Sequence, residues 1–249
     1  MTHPKPHIVF LHGAWHSPVY FAKITSLLQD QLYVVHARQQ PAVGVPPSWT
    51  PPTDLSQDLE AARSIVDFAI GDGNDVVVIC HSWGGKIAGS ALVGYGKEER
   101  EKKGLKGGVI KVGYMCAMMV DENKNIPQGE IPTWYEIEGE SLRATDPTVF
   151  YNGLSEEEQA YWFSQLQMHS LATLATPSTG ASWRTIPSSY LVCEQDNAIP
   201  AAFQEMMANA AKEKGAQVDI ERLDCGHSPF LVMPKETVAW IRGVAGETV

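Results

Sequence analysis

The chain alternates short apolar runs with longer segments that carry an apolar residue every third or fourth place. "HIVFLHG" (7–13) is a strand-like run that ends in glycine. "VYFAKITSLLQDQ" reads as the helix after it, and "LYVVHA" (32–37) as a second strand. Pro41 to Pro52 is too rich in proline to continue a helix or a central strand. Ser56 opens an amphipathic helix, with Leu55, Leu59, Ala62, Val66 and Ala69 on one face. Asp75–Cys80 is an unbroken run rich in valine and isoleucine, the mark of a strand covered on both faces. Gly84–Tyr95 reads as a small-residue helix able to lie close to a sheet, and "GVIKVGYMCA" (108–117) as the next strand.

Between about Val120 and Pro187 the alternation stops. Ser155 and Glu158 form a Ser-x-x-Glu capping box ahead of a helix carrying Tyr161, Trp162, Phe163 and Leu166. Trp134, Tyr135, Phe150, Tyr151 and Trp183 add aromatic surface. The pattern predicts a helical cap, residues 119–186, inserted into a core made of residues 1–118 and 187–249. The alternation resumes with "SSYLVCEQD" (188–196), a helix opened by Pro200 and closed by Gly215, a strand over Gln217–Cys225 and a helix over Pro234–Val244. The expected class is α/β: a doubly wound, mostly parallel sheet with helices on both faces. Ligands in such sheets bind beyond the carboxyl ends of the strands. Gly13, Ser82, Met118, Asp196 and His227 all fall at or just after such ends.

Composition narrows the partners. A formal charge of -10 over 249 residues argues against nucleic acid, which demands clustered Lys and Arg. The dense run "KEEREKK" mixes both signs and reads as a solvated helix end. No apolar run approaches the roughly 20 residues that span a bilayer. The first residues lack the apolar segment of a signal peptide, and Gly-Glu-Thr-Val at the end matches no retention or lipidation signal. These features predict a soluble cytoplasmic protein, monomer or homodimer, with a small-molecule substrate. Cys80, Cys116, Cys193 and Cys225 each lie near the end of a strand-like run, are not spaced as metal pairs, and read as buried free thiols. His12 and His16 have a His-x-x-x-His spacing, but Gly13 and the strand before it place them in a loop, so no metal is expected.

The candidate chemistry lies at the strand ends. A serine hydroxyl needs a base within hydrogen-bond reach and a third group to orient that base. Ser82 sits between a strand and a helix, a turn that lifts the side chain above the sheet and aims the next N–H at a developing oxyanion. Such a turn wants small residues two places either side, and here they are Cys80 and Gly84, a relaxed Gly-x-Ser-x-Gly. Asp196 and then His227 follow in the order expected of acid and base, each just past a strand. Asp121 is the alternative acid, whereas Asp224 is close to His227 in sequence but poorly placed to reach its ring. Two N–H donors would form the oxyanion hole: Trp83, after the nucleophile, and Ala14, or else Trp15, in the loop "HGAWH". Trp15, His81, Met118, Trp134 and Trp162 are the candidate lining of an apolar substrate pocket, or else part of the core.

Taken together, "FLHGAWH", "CHSWGG", "CEQDNAIP" and "CGHSPFL" resemble the α/β-hydrolase superfamily over nearly the whole chain, and within it the small esterase and hydroxynitrile-lyase branch. The resemblance implies a Ser82–His227–Asp196 triad, an oxyanion hole from Ala14 and Trp83, and no cofactor. Ser82 stands where the epoxide hydrolases and haloalkane dehalogenases of that superfamily carry Asp. Ser228 stands where similar hydroxynitrile lyases carry a lysine, which speaks against cyanohydrin cleavage. The expected activity is hydrolysis of a small-to-medium, fairly apolar carboxylic ester, lactone or thioester through an acyl-enzyme. The alternatives are a lyase or cyclase that uses His227 as base on a carbon skeleton such as a polyketide, and a ligand-binding protein with weak turnover.

Overall fold

The structure is a computed structural model that describes residues 4–125 and 133–248. Residues 126–132 of the expected insertion, and the outermost residues of the two tails read above, lie outside the described residues. The chain order is β1 (His7–Leu11), α1 (Ala22–Asp30), β2 (Val35–Ala37), β3 (Val43–Gly44), α2 (Ser56–Ile70), β4 (Asp75–His81), α3 (Gly84–Ala91), α4 (Lys97–Glu101) and β5 (Gly108–Met115). Then come β6 (Tyr135–Glu138), β7 (Ser141–Ala144), α5 (Thr148–Tyr151), α6 (Glu156–Ser164), β8 (Met168–Ser170) and α7 (Leu171–Ala175). The last elements are β9 (Ser188–Cys193), α8 (Ala201–Glu213), β10 (Val218–Leu223), α9 (Pro229–Val232) and α10 (Pro234–Val244).

Six parallel strands form the main sheet in the order β10-β9-β5-β4-β1-β2. The valine-rich β4 lies inside it, with Val76 to Cys80 fully buried. That burial is why its sequence is a continuous apolar run and not an alternating one. Helices α1, α9 and α10 pack as one group, and α2 and α3 as another. Gly113 of β5 lets α10 approach, since a Cβ there would lie 2.9 Å from the Trp240 ring. From β1 the chain places β2 on one side and β4, β5, β9 and β10 on the other, so the order switches between β1 and β4, and the carboxyl ends there carry the candidate site.

Three elements differ from the sequence reading. β2 begins at Val35 because Leu32 and Tyr33 still bond back to the end of α1, with Leu32 at φ +64. α3 stops at Ala91, and "KEERE" forms a short helix of its own, α4. The segment between β5 and β9 is not purely helical. β6, β7 and β8 join β3 in a four-stranded antiparallel sheet, order β3-β8-β7-β6. These strands are three or four residues long, too short for a period-two pattern to show. The capping box at Ser155 and Glu158 forms as expected, and Leu166 lies just past the end of α6.

Candidate active site

The turn after β4 is tight, and its neighbours explain why. Ser82 has φ +52, a left-handed conformation uncommon for a non-glycine residue and the one that a strand–serine–helix elbow requires. A Cβ on Gly84 would lie 2.4 Å from the Leu11 carbonyl oxygen, and one on Gly85 2.7 Å from that of Met118. The elbow is thus wedged between the ends of β1 and β5, and both glycines are required by close backbone approach. Met118 N–H donates to the Ser82 carbonyl at 2.9 Å, which ties the β5 end to the turn. Gly13 completes the wedge: a Cβ there would be 2.9 Å from Ser82 Cβ and 3.0 Å from His81 Nδ1. Cys80 is buried and its thiol donates to the Gly113 carbonyl at 3.4 Å. Burial pushes that thiol well above its ordinary pKa, so it is an uncharged packing group.

Asp196 and His227 meet across the same edge. His227 Nδ1 donates to Asp196 Oδ2 at 2.7 Å, and both side chains are buried. The carboxylate is held from three other directions. Its Oδ1 accepts from the N–H groups of Ala198 at 2.7 Å and Ile199 at 2.8 Å, and its Oδ2 from Gln204 Nε2 at 2.9 Å. With Nδ1 as donor, His227 presents the Nε2 lone pair, and that buried atom has no protein partner among the described residues. Ser82 Oγ likewise makes no hydrogen bond to a described group. Hydroxyl–imidazole bonds of this kind commonly tighten only when substrate is bound.

Asp121 is not at this site: it is paired with Arg184 at 2.6 Å and Lys214 at 2.5 Å. Asp224 accepts from Gln195 Nε2 instead. The N–H groups of Ala14 and Trp83 are bonded to no carbonyl or side chain among the described residues, and neither is that of Trp15. Trp15 is buried at φ +61 and its ring meets Trp134 at 5.5 Å and Phe150 at 5.8 Å. Phe150 in turn meets the His227 ring at 5.8 Å. Trp15, Trp134 and Phe150 therefore form an aromatic wall beside the imidazole, with Met118 at the elbow. Trp162 is farther out, with its ring against Tyr20 at 5.2 Å.

Of the two sequence readings of His81, pocket or core, its burial fits the core: it lies fully buried under the elbow, where Nε2 donates to the His227 carbonyl at 2.9 Å. Cys116 Sγ donates to the same carbonyl at 3.3 Å. Both groups brace the loop that carries the imidazole. His81, Cys116 and His227 do bring ligand-type atoms within 4.8 Å of one another. Burial pushes the Cys116 thiol up to about 12, which leaves it a protonated donor and a poor metal ligand. His12 and His16, whose spacing suggested zinc, both turn Nδ1 to backbone carbonyls of their own loop, those of Gly13 and Ala14.

Gln204 is absent from the sequence reading, and Cys116 appears there only as a buried free thiol. Cys116 acts on the His227 carbonyl across 111 residues and Gln204 on Asp196 across 8, and neither stands in a motif. Gln204 alone carries a signal, as a buried polar residue on the apolar face of α8.

A parallel sheet, a strand–serine–helix elbow wedged by glycines and a buried histidine–carboxylate pair at the same edge define an α/β enzyme of the hydrolase type. The chain belongs to the α/β hydrolase family, whose model matches residues 8–240. It is 32% identical over 255 residues to the α/β hydrolase nvfD of Aspergillus novofumigatus, covering 98% of each chain. Its fold is similar to that of a pyrethroid hydrolase from Sphingobium faniae JZ-2, with a TM-score of 0.76, 20% identity and 97% of both chains covered. Polyneuridine aldehyde esterase gives the same TM-score of 0.76 at 18% identity, covering 97% of this chain and 100% of the other. No helix among the described residues is long and apolar enough to cross a membrane.

Proposed function

We propose that the protein is a serine hydrolase that cleaves a small-to-medium, fairly apolar carboxylic ester, lactone or thioester through an acyl-enzyme. The observation that carries this reading is the buried 2.7 Å bond from His227 Nδ1 to Asp196, which leaves Nε2 as a lone pair at the edge occupied by Ser82. Ser82 Oγ attacks the carbonyl carbon as its proton passes to His227 Nε2. Asp196 keeps the imidazole in the Nδ1–H tautomer and stabilises the imidazolium. The N–H groups of Ala14 and Trp83 receive the oxyanion, each donor supplying about 10²–10³ in rate. The imidazolium protonates the leaving oxygen or sulfur. Water, deprotonated by the same nitrogen, then releases the acid and frees Ser82.

The aromatic wall of Trp15, Trp134 and Phe150 supports an apolar substrate group, and the names of the relatives, a hydrolase and an esterase, agree with the reaction class. A fluorophosphonate probe tests the assignment. The wild type is expected to be labelled once, at Ser82, and Ser82→Ala not at all. Asp196→Asn is expected to slow labelling by about 10²–10⁴-fold, because it favours the wrong imidazole tautomer, while Asp121→Asn leaves it unchanged. Equal labelling of Ser82→Ala, or an Asp121→Asn loss as large as that of Asp196→Asn, refutes the proposal.

A further inference from the structure

The loop His12–His16 is held by two imidazoles acting on successive peptide groups. His12 Nε2 accepts from Gln40 N–H at 2.9 Å, so its proton is on Nδ1, which donates to the Gly13 carbonyl at 2.9 Å. His16 Nε2 accepts from the Tyr151 hydroxyl at 3.2 Å, so its Nδ1 donates to the Ala14 carbonyl, at 2.7 Å. Burial keeps both rings neutral, with His12 lowered to about 4 and His16 to about 3. In a trans peptide the C=O and the following N–H point in opposite directions. Fixing the Gly13 carbonyl therefore sets the direction of the Ala14 N–H, and fixing the Ala14 carbonyl sets that of the Trp15 N–H.

Three bonds tie this loop to the segment between β5 and β9. Besides Tyr151 to His16, Trp15 Nε1 donates to the Leu142 carbonyl at 3.0 Å and Gln167 N–H to the Trp15 carbonyl at 2.9 Å. Trp15 needs such support. A left-handed φ on a bulky residue costs about 1–2 kcal/mol, and it persists only where surrounding bonds over-determine it.

We infer that His16 and Tyr151 are positioning residues for the oxyanion loop: His12 orients the Ala14 N–H through the Gly13 carbonyl, while Tyr151 fixes the His16 ring and His16, through the Ala14 carbonyl, fixes the next peptide and so the far side of the residue that carries that N–H. Transition-state stabilisation then depends on how the inserted segment is seated on the core. This rests on the serine-hydrolase reading above.

The test uses the full chain with p-nitrophenyl butyrate as substrate, and two inhibitors. Hexyl trifluoromethyl ketone forms a hemiketal oxyanion on the serine, whereas hexyl methyl ketone reports ground-state binding. In His16→Gln the amide reaches toward Tyr151 but not the Ala14 carbonyl, and kcat is expected to fall about 10²-fold with KM within about threefold. Affinity for the trifluoromethyl ketone should fall in parallel, and affinity for the methyl ketone should not. His16→Asn places an amide N–H where Nδ1 stands and should recover about tenfold of the loss. Tyr151→Phe keeps the ring and should lose about five- to tenfold in kcat; it carries the test should His16→Gln not fold. An active wild type with Tyr151→Phe and the His16 variants within about twofold of it overturns the inference alone. So does a loss shared equally by KM and methyl ketone affinity, which marks general damage to the site. A wild type that takes no fluorophosphonate and does not turn over the ester overturns the serine-hydrolase reading, and the inference with it.

Discussion

Gly13→Ala probes how closely the oxyanion loop must lie against the elbow. The added Cβ would stand 2.9 Å from Ser82 Cβ and 3.0 Å from His81 Nδ1, where ordinary contact begins at 3.4 Å. Neither neighbour can yield easily. Ser82 is fixed by the elbow, and His81 is bonded to the His227 carbonyl. The loop itself must therefore retreat by about 0.5 Å, and an oxyanion hydrogen bond of about 2.9 Å becomes one of about 3.4 Å. Displacements approaching 1 Å cost up to about 10² in rate, so a fall of about 10–50-fold in kcat is expected, with KM nearly unchanged. Stability should move little. Gly13 has a negative or extended φ, so alanine introduces no backbone strain and lowers the entropy of the unfolded chain, worth about 0.4–1 kcal/mol, which offsets part of the contact strain. The assay is steady-state hydrolysis of p-nitrophenyl butyrate beside thermal denaturation of the same preparation. Gly215→Ala is the control: φ there is +86 and nothing lies near, so it should cost about 1 kcal/mol of stability and no activity. A Gly13→Ala protein with wild-type kcat refutes the claim that the hole is assembled across this contact.

Asp58 tests the electrostatics of the core. It is fully buried, its Oδ1 accepts from Ala42 N–H at 2.9 Å, and its Oδ2 has no partner among the described residues. Burial raises its pKa from 3.8 to about 7. The folded state thus keeps a proton that the unfolded chain releases, so the contribution of this group is intact below about pH 4 and lost as pH rises through 7. Asp58→Asn retains the bond to Ala42 and cannot ionise; by urea denaturation it should gain about 2–4 kcal/mol on the wild type between pH 5 and pH 8, and an equal difference at the two pH values would refute this. Gln204→Leu should cost about 2–3 kcal/mol by the same measurement, because it strands the Cys193 N–H and the Ile199 carbonyl as well as releasing Asp196 Oδ2, and phosphonate labelling should slow with it. Cys80→Ala should be labelled at Ser82 within about twofold of the wild-type rate, and native Cys80 should resist iodoacetamide; alkylation of the native thiol would overturn its reading as an uncharged packing group.

What was legible in the chain depended on distance along it. The parallel core was legible because buried strands write themselves as local apolar runs: Asp75–Cys80 and Ser188–Cys193 need no partner to be recognised. Ser82, Asp196 and His227 were legible as residues at the ends of such runs, and parallel pairing brings those ends to one edge. The structure places Asp196 against His227 and sends Asp121 to Arg184 and Lys214. The groups that hold these residues in place were not legible. Gln204 approaches Asp196 from the next helix, Cys116 approaches the His227 carbonyl from 111 residues away, and Tyr151 approaches His16 from 135. His81 was left open between pocket and core for a related reason. Its position beside Ser82 suggests exposure to substrate, but alternation along β4 turns it to the opposite side, into the protein.

That division has a physical consequence for the site. The groups assigned to bond-making stand on strand ends of the main sheet, which burial makes rigid. One of the groups assigned to position the oxyanion loop, His16, is held partly by Tyr151, and Tyr151 belongs to a segment that meets the sheet through side chains and a few loop bonds. A change of sequence between β5 and β9 can therefore reshape the aromatic wall, but it also acts on the loop proposed to stabilise the charge. Substrate range and rate should for that reason change together when Phe150 or Tyr151 is altered. They should separate when Trp134 is altered, because Trp134 touches the Trp15 and Phe150 rings but bonds to no group of the His12–His16 loop. Trp134→Leu is accordingly expected to alter the chain-length preference among p-nitrophenyl esters while the best ester keeps a kcat within about threefold of the wild type. A uniform loss of kcat across all chain lengths would show that the wall and the oxyanion loop are not separable in this way.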